Sequence, residues 1–277
     1  MKNPWTACFL AACLAPAWTL AGPTPEQARR YVDTRSIPQW QQAVAQARAF
    51  PARTRDARSA STWKALTEEV ATGKAPLARA TTPVDAVDMA LLLDWLRWQV
   101  LSENADGRYS YAYAANLAWM RDPAGKPMFR MEGVVFLFHA RLALTIDGAR
   151  CVDATGPEGV MAGFETQPYF APLLESLRTM PAQEKAAAWL EAISLEEVRG
   201  ERPPFPALCN RGLATLHKAL TAGRQPVERP AQPGAPGKTL ALDTADSDPD
   251  LVPEAEWKAL RRQLLEQQIR RAAETFP

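Results

Sequence analysis

The sequence predicts a mainly all-α protein, in which a multi-helix globular domain is followed by a disordered linker and a C-terminal amphipathic helix. Apolar residues recur three and four positions apart through most of the chain, which is the spacing of a buried helical face. Capping residues and prolines mark the ends of these segments. A proline-rich stretch separates the last helix from the rest, so the predicted divisions are residues 1–21, 22–223, 224–253 and 254–277.

Residues 1–21 have the pattern of an export signal. Lys2 supplies a positive charge, residues 9–20 are apolar and uncharged, and cleavage is expected after Ala21. The stretch that ends at Cys13 also resembles the box that precedes the acylated cysteine of bacterial lipoproteins. The residues after Cys13 are apolar, however, whereas a lipoprotein usually continues with a polar tether. We therefore expect release into the periplasm, with a lipid anchor at Cys13 as the alternative.

The charge balance argues against a nucleic-acid partner. Lys2 is the only charged residue of the leader, so the 32 basic and 31 acidic residues of the chain become 31 of each after cleavage. A protein without net charge lacks the basic surface that attracts a phosphate backbone. The chain also has no long basic tract of the kind that binds membrane surfaces.

Helix signals begin directly after the leader. Thr24 and Gln27 form a capping box that predicts a short helix to about residue 31. Further helices are predicted over residues 36–50 and 61–73, with proline or glycine at their ends.

The strongest helical pattern runs from Thr82 to Leu101. Thr82 is a capping residue, Pro83 lies in the first turn, and apolar residues cover more than one face, which predicts a central helix with several neighbours. Charged residues interrupt this helix, so it is not a membrane span. After a turn, an alanine-rich helix is predicted to return antiparallel over residues 109–120.

Residues 131–153 allow two interpretations. The continuous apolar run at 134–138 favours a buried helix that ends at Gly148. Alternating apolar residues before Asp147 also fit a small β-hairpin near 142–153. We favour the helix and keep the hairpin as the alternative.

The following segments are predicted as loop and then helices. Four glycine and proline residues within 154–167 indicate a surface loop. Apolar residues at helical spacing then predict helices that start near Phe170 and Pro181, and a further helix over residues 206–220 that carries Cys209.

The C-terminal part of the chain combines a tether with an apolar helix. Residues 224–253 are rich in proline and poor in large apolar side chains, so burial cannot offset the entropy of ordering them, and they are predicted to be a disordered linker. The final helix places Trp257, Leu260 and Leu264 on one apolar stripe. Such a stripe must be covered by its own domain or by another protein, and it is our candidate partner-binding site.

Cys151 and Cys209 are the cysteines that remain once the leader is removed. In an oxidising compartment we expect them to form a disulfide, which would restrict the unfolded chain by about 4 kcal/mol. Neither cysteine has a second cysteine or a histidine at the spacing of a zinc site, so no metal and no cofactor are predicted.

Charged residues near both cysteines form a candidate polar cluster. Its members are Asp147, Arg150, Asp153, Arg199 and Arg202. A disulfide would bring these groups close in space, where they could form a site. A salt-bridged connector is the simpler interpretation, because surface ion pairs are common.

No motif identifies a catalytic residue. Signatures of a serine nucleophile and of a phosphate-binding loop are absent, and His139 and His217 lack the spacing of metal ligands. His139 is expected to be a hydrogen-bonded core residue, and His217 to lie at the edge of the core. Glu175-Ser176 resembles the Glu-Ser pair of lytic transglycosylases, but the Gly-Leu-Met-Gln stretch of that family is missing.

These observations predict a non-enzymatic interaction protein of the cell envelope with a protein partner. An inhibitor, an immunity protein or an accessory factor would fit. The alternative is a cell-wall or lipid hydrolase with a carboxylate-centred site. Ionisable groups that converge in a concave pocket would favour the hydrolase, whereas an exposed apolar surface would favour binding.

The protein purified from its producing cells should begin near Gly22 and contain no free thiol. Intact mass before and after reduction and alkylation measures both properties, because the leader and the disulfide each change the mass by a known amount. Alkylation of Cys151 and Cys209 without prior reduction would contradict the disulfide. A diacylglyceryl group on Cys13 would establish the lipid anchor instead.

Overall fold

The protein is helical over most of the residues that the computed structural model describes, which confirms the predicted fold class. The described ranges are 23–48, 86–102, 105–166, 168–202, 206–210, 212–230, 238–242 and 250–275. The predicted helix at 61–73 and the start of the predicted helix at 82–101 lie outside these ranges.

The chain divides into two compact units, each assembled from separate stretches of sequence. The first unit comprises Met1–Ala143, Phe164–Pro203 and Arg262–Pro277, and the second comprises Leu144–Gly163 and Pro204–Arg261. The domain boundaries expected from the sequence stay predictions, and the two units are described separately below.

Helices build the first unit. They are α1 (Pro25–Tyr31), a π-helical turn (Val32–Ser36), α2 (Ile37–Ala47), α3 (Ala86–Ser102), α4 (Gly107–Trp119), most of α5 (Arg130–Gly148), a 3-10 turn (Pro168–Phe170), α7 (Ala171–Thr179), α8 (Ala182–Arg199) and the end of α11 (Glu254–Thr275). Helix α4 packs against α3 and α7, while α2 packs against α3 and α8. The alanines of α4 let its neighbours approach closely, so its residues 109–118 are all buried.

The second unit contains shorter elements. They are most of α6 (Thr155–Glu165), α9 (Pro206–Cys209), α10 (Leu213–Thr221), the strands β1 (Val227–Pro230) and β2 (Lys238–Ala241), and the first turns of α11.

The first two predicted helices are joined rather than separated. The capping box at the start of α1 forms as expected, because the Gln27 N–H donates to Thr24 Oγ1 at 3.2 Å and the Thr24 N–H donates to Gln27 Oε1 at 2.8 Å. The π-helical turn Val32–Ser36 then leads directly into α2. Where the sequence predicts a break between the two helices, before residue 36, the chain forms one wide helical turn.

Helix α5 settles the ambiguous stretch in favour of the helix, and the hairpin near 142–153 is wrong. Residues 142–148 continue the helix, and Leu142, Leu144 and Ile146 are all buried. A helix that is covered on several sides has no need of a polar face. The alternation of Leu142, Leu144 and Ile146 with other residues therefore does not indicate a strand. Cys151 instead makes an isolated antiparallel bridge with Leu251.

The surface loop predicted at 154–167 is wrong, because most of it is helix α6. The Asp153 carboxylate accepts a hydrogen bond from the Thr155 N–H at 3.0 Å, which satisfies one donor of the first turn. Pro157 also lies in that turn, where a missing N–H costs nothing. Gly156 serves packing rather than a turn, since a Cβ there would lie 2.8 Å from the Leu208 carbonyl oxygen.

The helix predicted over 206–220 is interrupted. It forms α9 and α10, and Gly212 between them has extended backbone with ψ 161°. A side chain at Gly212 would overlap the Asp153 carboxylate, which accepts a hydrogen bond from the Ala214 N–H at 2.7 Å. The break therefore lets Asp153 reach the start of α10.

Two strands form inside the segment that was predicted to be a disordered linker. Val227 pairs with Ala241 and Pro230 pairs with Lys238 in an antiparallel register. Prolines are tolerated here because a two-stranded sheet consists of edge strands, whose outward N–H groups need no partner. No helix within the described ranges is long and apolar enough to cross a bilayer.

Replacing Gly156 with alanine should destabilise the second unit by about 1–3 kcal/mol, because the new methyl group would press on fixed backbone. Gly163→Ala is the matched control on the same helix: nothing lies within 4 Å of its Cβ position, so this change should be neutral or stabilise by about 0.5–1 kcal/mol. Urea unfolding of both variants measures the difference. Equal midpoints for the two variants would contradict the packing role of Gly156.

Candidate functional site

A fully buried polar cluster lies in the first unit, and we call it the His139 cluster. Its members are Ser110 of α4, His139 of α5, Glu196 and Arg199 of α8, and Arg202 just beyond α8. All five are buried, and Ser110, His139 and Glu196 have no exposed surface. Three helices thus contribute polar groups to one point of the core.

His139 connects the serine to the charged groups. Its Nδ1 lies 2.8 Å from Ser110 Oγ, and its Nε2 lies 3.4 Å from Glu196 Oε2 and 3.3 Å from Arg199 Nη1. A neutral imidazole can donate to the carboxylate or accept from the guanidinium through Nε2, but not both. The ring therefore has a hydrogen-bonding partner at each nitrogen, as the sequence predicted for His139.

Arg202 neutralises the buried carboxylate. Its Nη1 donates to both oxygens of Glu196 at 2.9 and 2.7 Å, and its Nη2 donates to the Ala143 carbonyl at 2.9 Å. Arg199 donates to the carbonyl of Ala105. The two arginines thus also bind main-chain carbonyl groups of the same unit.

The pKa values of this cluster lie far from neutral pH. Burial lowers the pKa of His139 to about 4, and the charges of Arg199 and Arg202 act in the same direction. Burial alone would raise the pKa of Glu196, but the charge of Arg202 and the hydrogen bond from His139 outweigh it, so that pKa lies well below its ordinary value. At neutral pH the cluster holds a neutral imidazole and an ionised carboxylate.

The order serine, histidine and carboxylate is that of nucleophilic hydrolases, but this cluster lacks two of their properties. A catalytic base needs a pKa near the working pH and must reach a substrate. His139 has a pKa of about 4, and it and Ser110 have no exposed surface. We therefore interpret the cluster as polar core structure that fixes the contacts among α4, α5 and α8.

A second buried carboxylate, Glu191, binds the N-terminal helices. It accepts hydrogen bonds from Ser36 Oγ at 2.6 Å, from Trp40 Nε1 at 2.8 Å, and from the Tyr31 hydroxyl. Burial raises the pKa of Tyr31, and the charge of Glu191 adds to the shift. The sequence analysis missed this site because Tyr31 and Ser36, five residues apart, share a side only on a π-helical turn.

The residues of the predicted polar cluster belong to different units. Arg199 and Arg202 are in the first unit, with the contacts given above. Asp147, Arg150 and Asp153 are in the second unit, where Asp147 is buried and Asp153 accepts N–H groups at the starts of α6 and α10. A hydrogen bond from the Thr155 hydroxyl at 2.6 Å, together with these N–H groups, holds the pKa of Asp153 below its ordinary value. A single site formed by all five residues stays a prediction.

The predicted disulfide between Cys151 and Cys209 is confirmed. The two Cα atoms lie 5.2 Å apart, and the bond joins positions separated by 58 residues. It ties the chain just beyond α5 to the end of α9, within the second unit.

Trp257 of the predicted partner-binding stripe is buried inside the second unit. It is 1% exposed, its indole N–H donates to the Ile146 carbonyl at 3.3 Å, and the Arg150 guanidinium lies 3.5 Å above its ring. Leu260 and Leu264 are half-buried. Partner binding by these three residues stays a prediction, and Trp257 has little surface to contribute to it.

Glu175 and Glu132, two further carboxylates with shifted pKa values, differ in setting. Glu175 forms an exposed ion pair with Arg178, and its pKa is lowered by that hydrogen bond. Glu132 is half-buried and accepts a hydrogen bond from the Tyr113 hydroxyl at 2.9 Å. Burial raises its pKa, although the charge of Arg97 and the bond from Tyr113 oppose the shift. A general acid needs a raised pKa, so Glu132 fits that role better than Glu175.

Exposed aliphatic side chains gather on α10 of the second unit. Leu213 and Leu220 are 68% and 52% exposed, and they share one face because they are two helical turns apart. Val152 is exposed as well and follows Cys151 directly in the chain, but no contact joins it to these leucines. We call Leu213 and Leu220 the α10 surface.

No family model, curated protein or solved structure matches the chain. Within the described ranges, no three side chains of the metal-binding types converge on one point.

The stability of the first unit should fall as the pH decreases from about 6.5 to about 4. In this window the folded state keeps His139 neutral while the unfolded chain binds a proton, so the free energy of unfolding should drop by about 1–3 kcal/mol. His139→Gln should remove this dependence, whereas His217→Gln on the exposed face of α10 should keep it. Urea unfolding at a series of pH values gives the slopes. A wild-type slope that persists in His139→Gln would contradict the assignment.

Proposed function

We propose that the chain is an exported, periplasmic protein that acts by binding a protein partner rather than by catalysis. Occlusion of that partner, as by an inhibitor or immunity protein, or service as an envelope accessory factor would fit. The observation that carries the proposal is the α10 surface, which leaves large aliphatic side chains in contact with solvent beside a disulfide. Exposed apolar side chains that are grouped together are typical of interaction sites.

The buried ionisable groups support a role without chemistry. The carboxylates of Glu191 and Glu196 accept hydrogen bonds from side chains of their own unit, and the pKa of His139 is too low for proton transfer at neutral pH. Such groups stabilise a fold and are not available to a substrate.

The leader and the disulfide together support export. The pattern of residues 1–21 is that of a cleaved signal, and Cys151 and Cys209 are within bonding distance. Structural disulfides persist in oxidising compartments such as the periplasm. An anchor at Cys13 would keep the same protein on a membrane of the envelope.

A cell-wall or lipid hydrolase is the second candidate, and Glu132 is the observation that favours it. This half-buried carboxyl group has a pKa that burial raises in spite of the hydrogen bond from the Tyr113 hydroxyl, and a general acid requires a raised pKa. Release of muropeptides or fatty acids by the purified protein, lost in Glu132→Gln and retained in Glu175→Gln, would replace the binding proposal.

The double change Leu213→Ser with Leu220→Ser should reduce recovery of the partner about tenfold or more, since central apolar contacts dominate interfaces. Its melting temperature should change by less than about 2 °C because both side chains are exposed. Crosslinking in the envelope followed by quantitative mass spectrometry measures recovery.

Two control variants identify the surface that is used. Val227→Ser changes another exposed aliphatic residue of the second unit and should retain the partner. Leu260→Ser with Leu264→Ser tests the stripe predicted from the sequence. Loss of the partner in this variant, with normal recovery after the α10 changes, would move the interface to the C-terminal helix. Unchanged recovery in every variant would contradict both surfaces.

A further inference from the structure

The connection between α4 and α5 in the first unit is a hydrogen-bonded hairpin turn rather than an open loop. We call residues 119–130 the α4–α5 turn. The Met128 N–H donates to the Met120 carbonyl at 3.0 Å, the Asp122 N–H donates to the Lys126 carbonyl at 2.9 Å, and Arg121 bridges to Pro127. These bonds give the turn one defined shape before anything binds to it.

The tip of this turn satisfies its own main-chain N–H groups. The Asp122 carboxylate accepts hydrogen bonds from the N–H groups of Ala124 and Lys126 at 2.9 and 2.8 Å, and the Gly125 N–H donates to the Asp122 carbonyl at 2.9 Å. Pro123 has no N–H to satisfy. Gly125 adopts φ 77°, which glycine tolerates without strain. The backbone N–H groups of residues 124–126 are therefore used within the turn.

Apolar side chains are exposed on this turn. Trp119 and Met128 are 47% and 45% exposed, and the tip residues Pro123 and Ala124 are exposed as well. The indole N–H of Trp119 donates to the Tyr169 carbonyl at 2.9 Å, which fixes the ring while its apolar surface remains in solvent. The protein thus holds a tryptophan and a methionine outside its core in a fixed arrangement.

Basic residues lie in the same turn as these apolar groups. Arg121, Lys126 and Arg130 lie within the turn, against the single carboxylate of Asp122, whose hydrogen bonds are directed to the tip. Arg121 and Lys126 are exposed and have no ion-pair partner among the residues that the structure describes. Arg121 and Lys126 are five positions apart in the sequence. The bridge between Arg121 and Pro127 places them on the two facing arms of the same short turn.

We propose that the α4–α5 turn binds the surface of an anionic phospholipid bilayer, with Trp119 and Met128 in the interfacial region and Arg121 and Lys126 near the lipid phosphates. Tryptophan favours the membrane interface, and basic side chains are attracted to anionic headgroups. Backbone groups that are satisfied internally can enter this region without a desolvation cost.

A lipid surface fits the turn better than a protein partner does. A specific protein interface carries about one hydrogen bond per 100–200 Å². The main chain of the tip offers few free N–H groups for such bonds, because those of residues 124–126 donate within the turn, and the Asp122 carboxylate already accepts two of them. The proposal is independent of the α10 surface, which belongs to the second unit, and neither depends on the other.

Sedimentation with vesicles tests the proposal. The full-length chain, expressed with its leader and purified as the cell processes it, should bind vesicles of phosphatidylglycerol and phosphatidylcholine and should not bind phosphatidylcholine alone. Binding should weaken as salt rises from 50 to 500 mM. Arg121→Gln with Lys126→Gln should reduce partitioning about 25-fold. Trp119→Ala and Met128→Ser should each reduce it several-fold.

A second double substitution distinguishes binding by the α4–α5 turn from a general effect of positive charge. Arg30→Gln with Arg48→Gln removes the same charge from exposed positions of the same unit and should retain most of the binding. An equal loss in both pairs would overturn the proposal, as would equal binding to neutral vesicles. Unchanged vesicle binding in the turn variants together with loss of a crosslinked acidic protein would assign the turn to a protein partner instead. Met128→Ser keeps the test valid if Trp119→Ala lowers the melting temperature.

Discussion

The first unit depends on the burial of two carboxylates on one helix, α8. Removing an ionised carboxylate from water costs several kcal/mol, so each must be compensated where it lies. Glu196 is compensated by the guanidinium of Arg202, which also binds the Ala143 carbonyl. Glu191 is instead compensated by hydroxyl and indole donors from the N-terminal helices. The two carboxylates therefore bind groups on different helices, so α8 connects α5 on one side to α1 and α2 on the other.

The geometry of the N-terminal helices follows from this requirement. A regular α-helix places residues three or four apart on one side, which would separate Tyr31 from Ser36. The π-helical turn widens one turn by a residue and directs both hydroxyl groups to Glu191. A π-helical turn is less favourable than a regular α-helical turn. Here that cost in free energy is offset by the hydrogen bonds that Glu191 receives from Tyr31 and Ser36.

The sequence predicts the structure where helices are long and their apolar residues are periodic. It does not predict contacts between residues that are far apart in the chain. The helix over 130–148, the capping box at Thr24 and the disulfide were predicted because each depends on local pattern or on the presence of two thiols. The glycine and proline residues of 154–167 favour a loop over helix α6, but the missing side chain of Gly156 serves to admit the Leu208 carbonyl, which no local pattern indicates. The site at Glu191 joins residues that are 160 positions apart, and no local pattern records such a pairing.

The way in which the core satisfies its polar groups also determines what remains for function. His139 and Glu196 are fixed by internal partners and have pKa values unsuited to catalysis at neutral pH, so the His139 cluster offers little reactivity. Among the residues that the structure describes, apolar and cationic side chains are exposed at two places on the surface. In α10 they are aliphatic, whereas in the α4–α5 turn an indole and a thioether lie among positive charges. The two binding proposals rest on this difference: contact would lower the free energy of the α10 surface through apolar protein and that of the α4–α5 turn through an anionic interface.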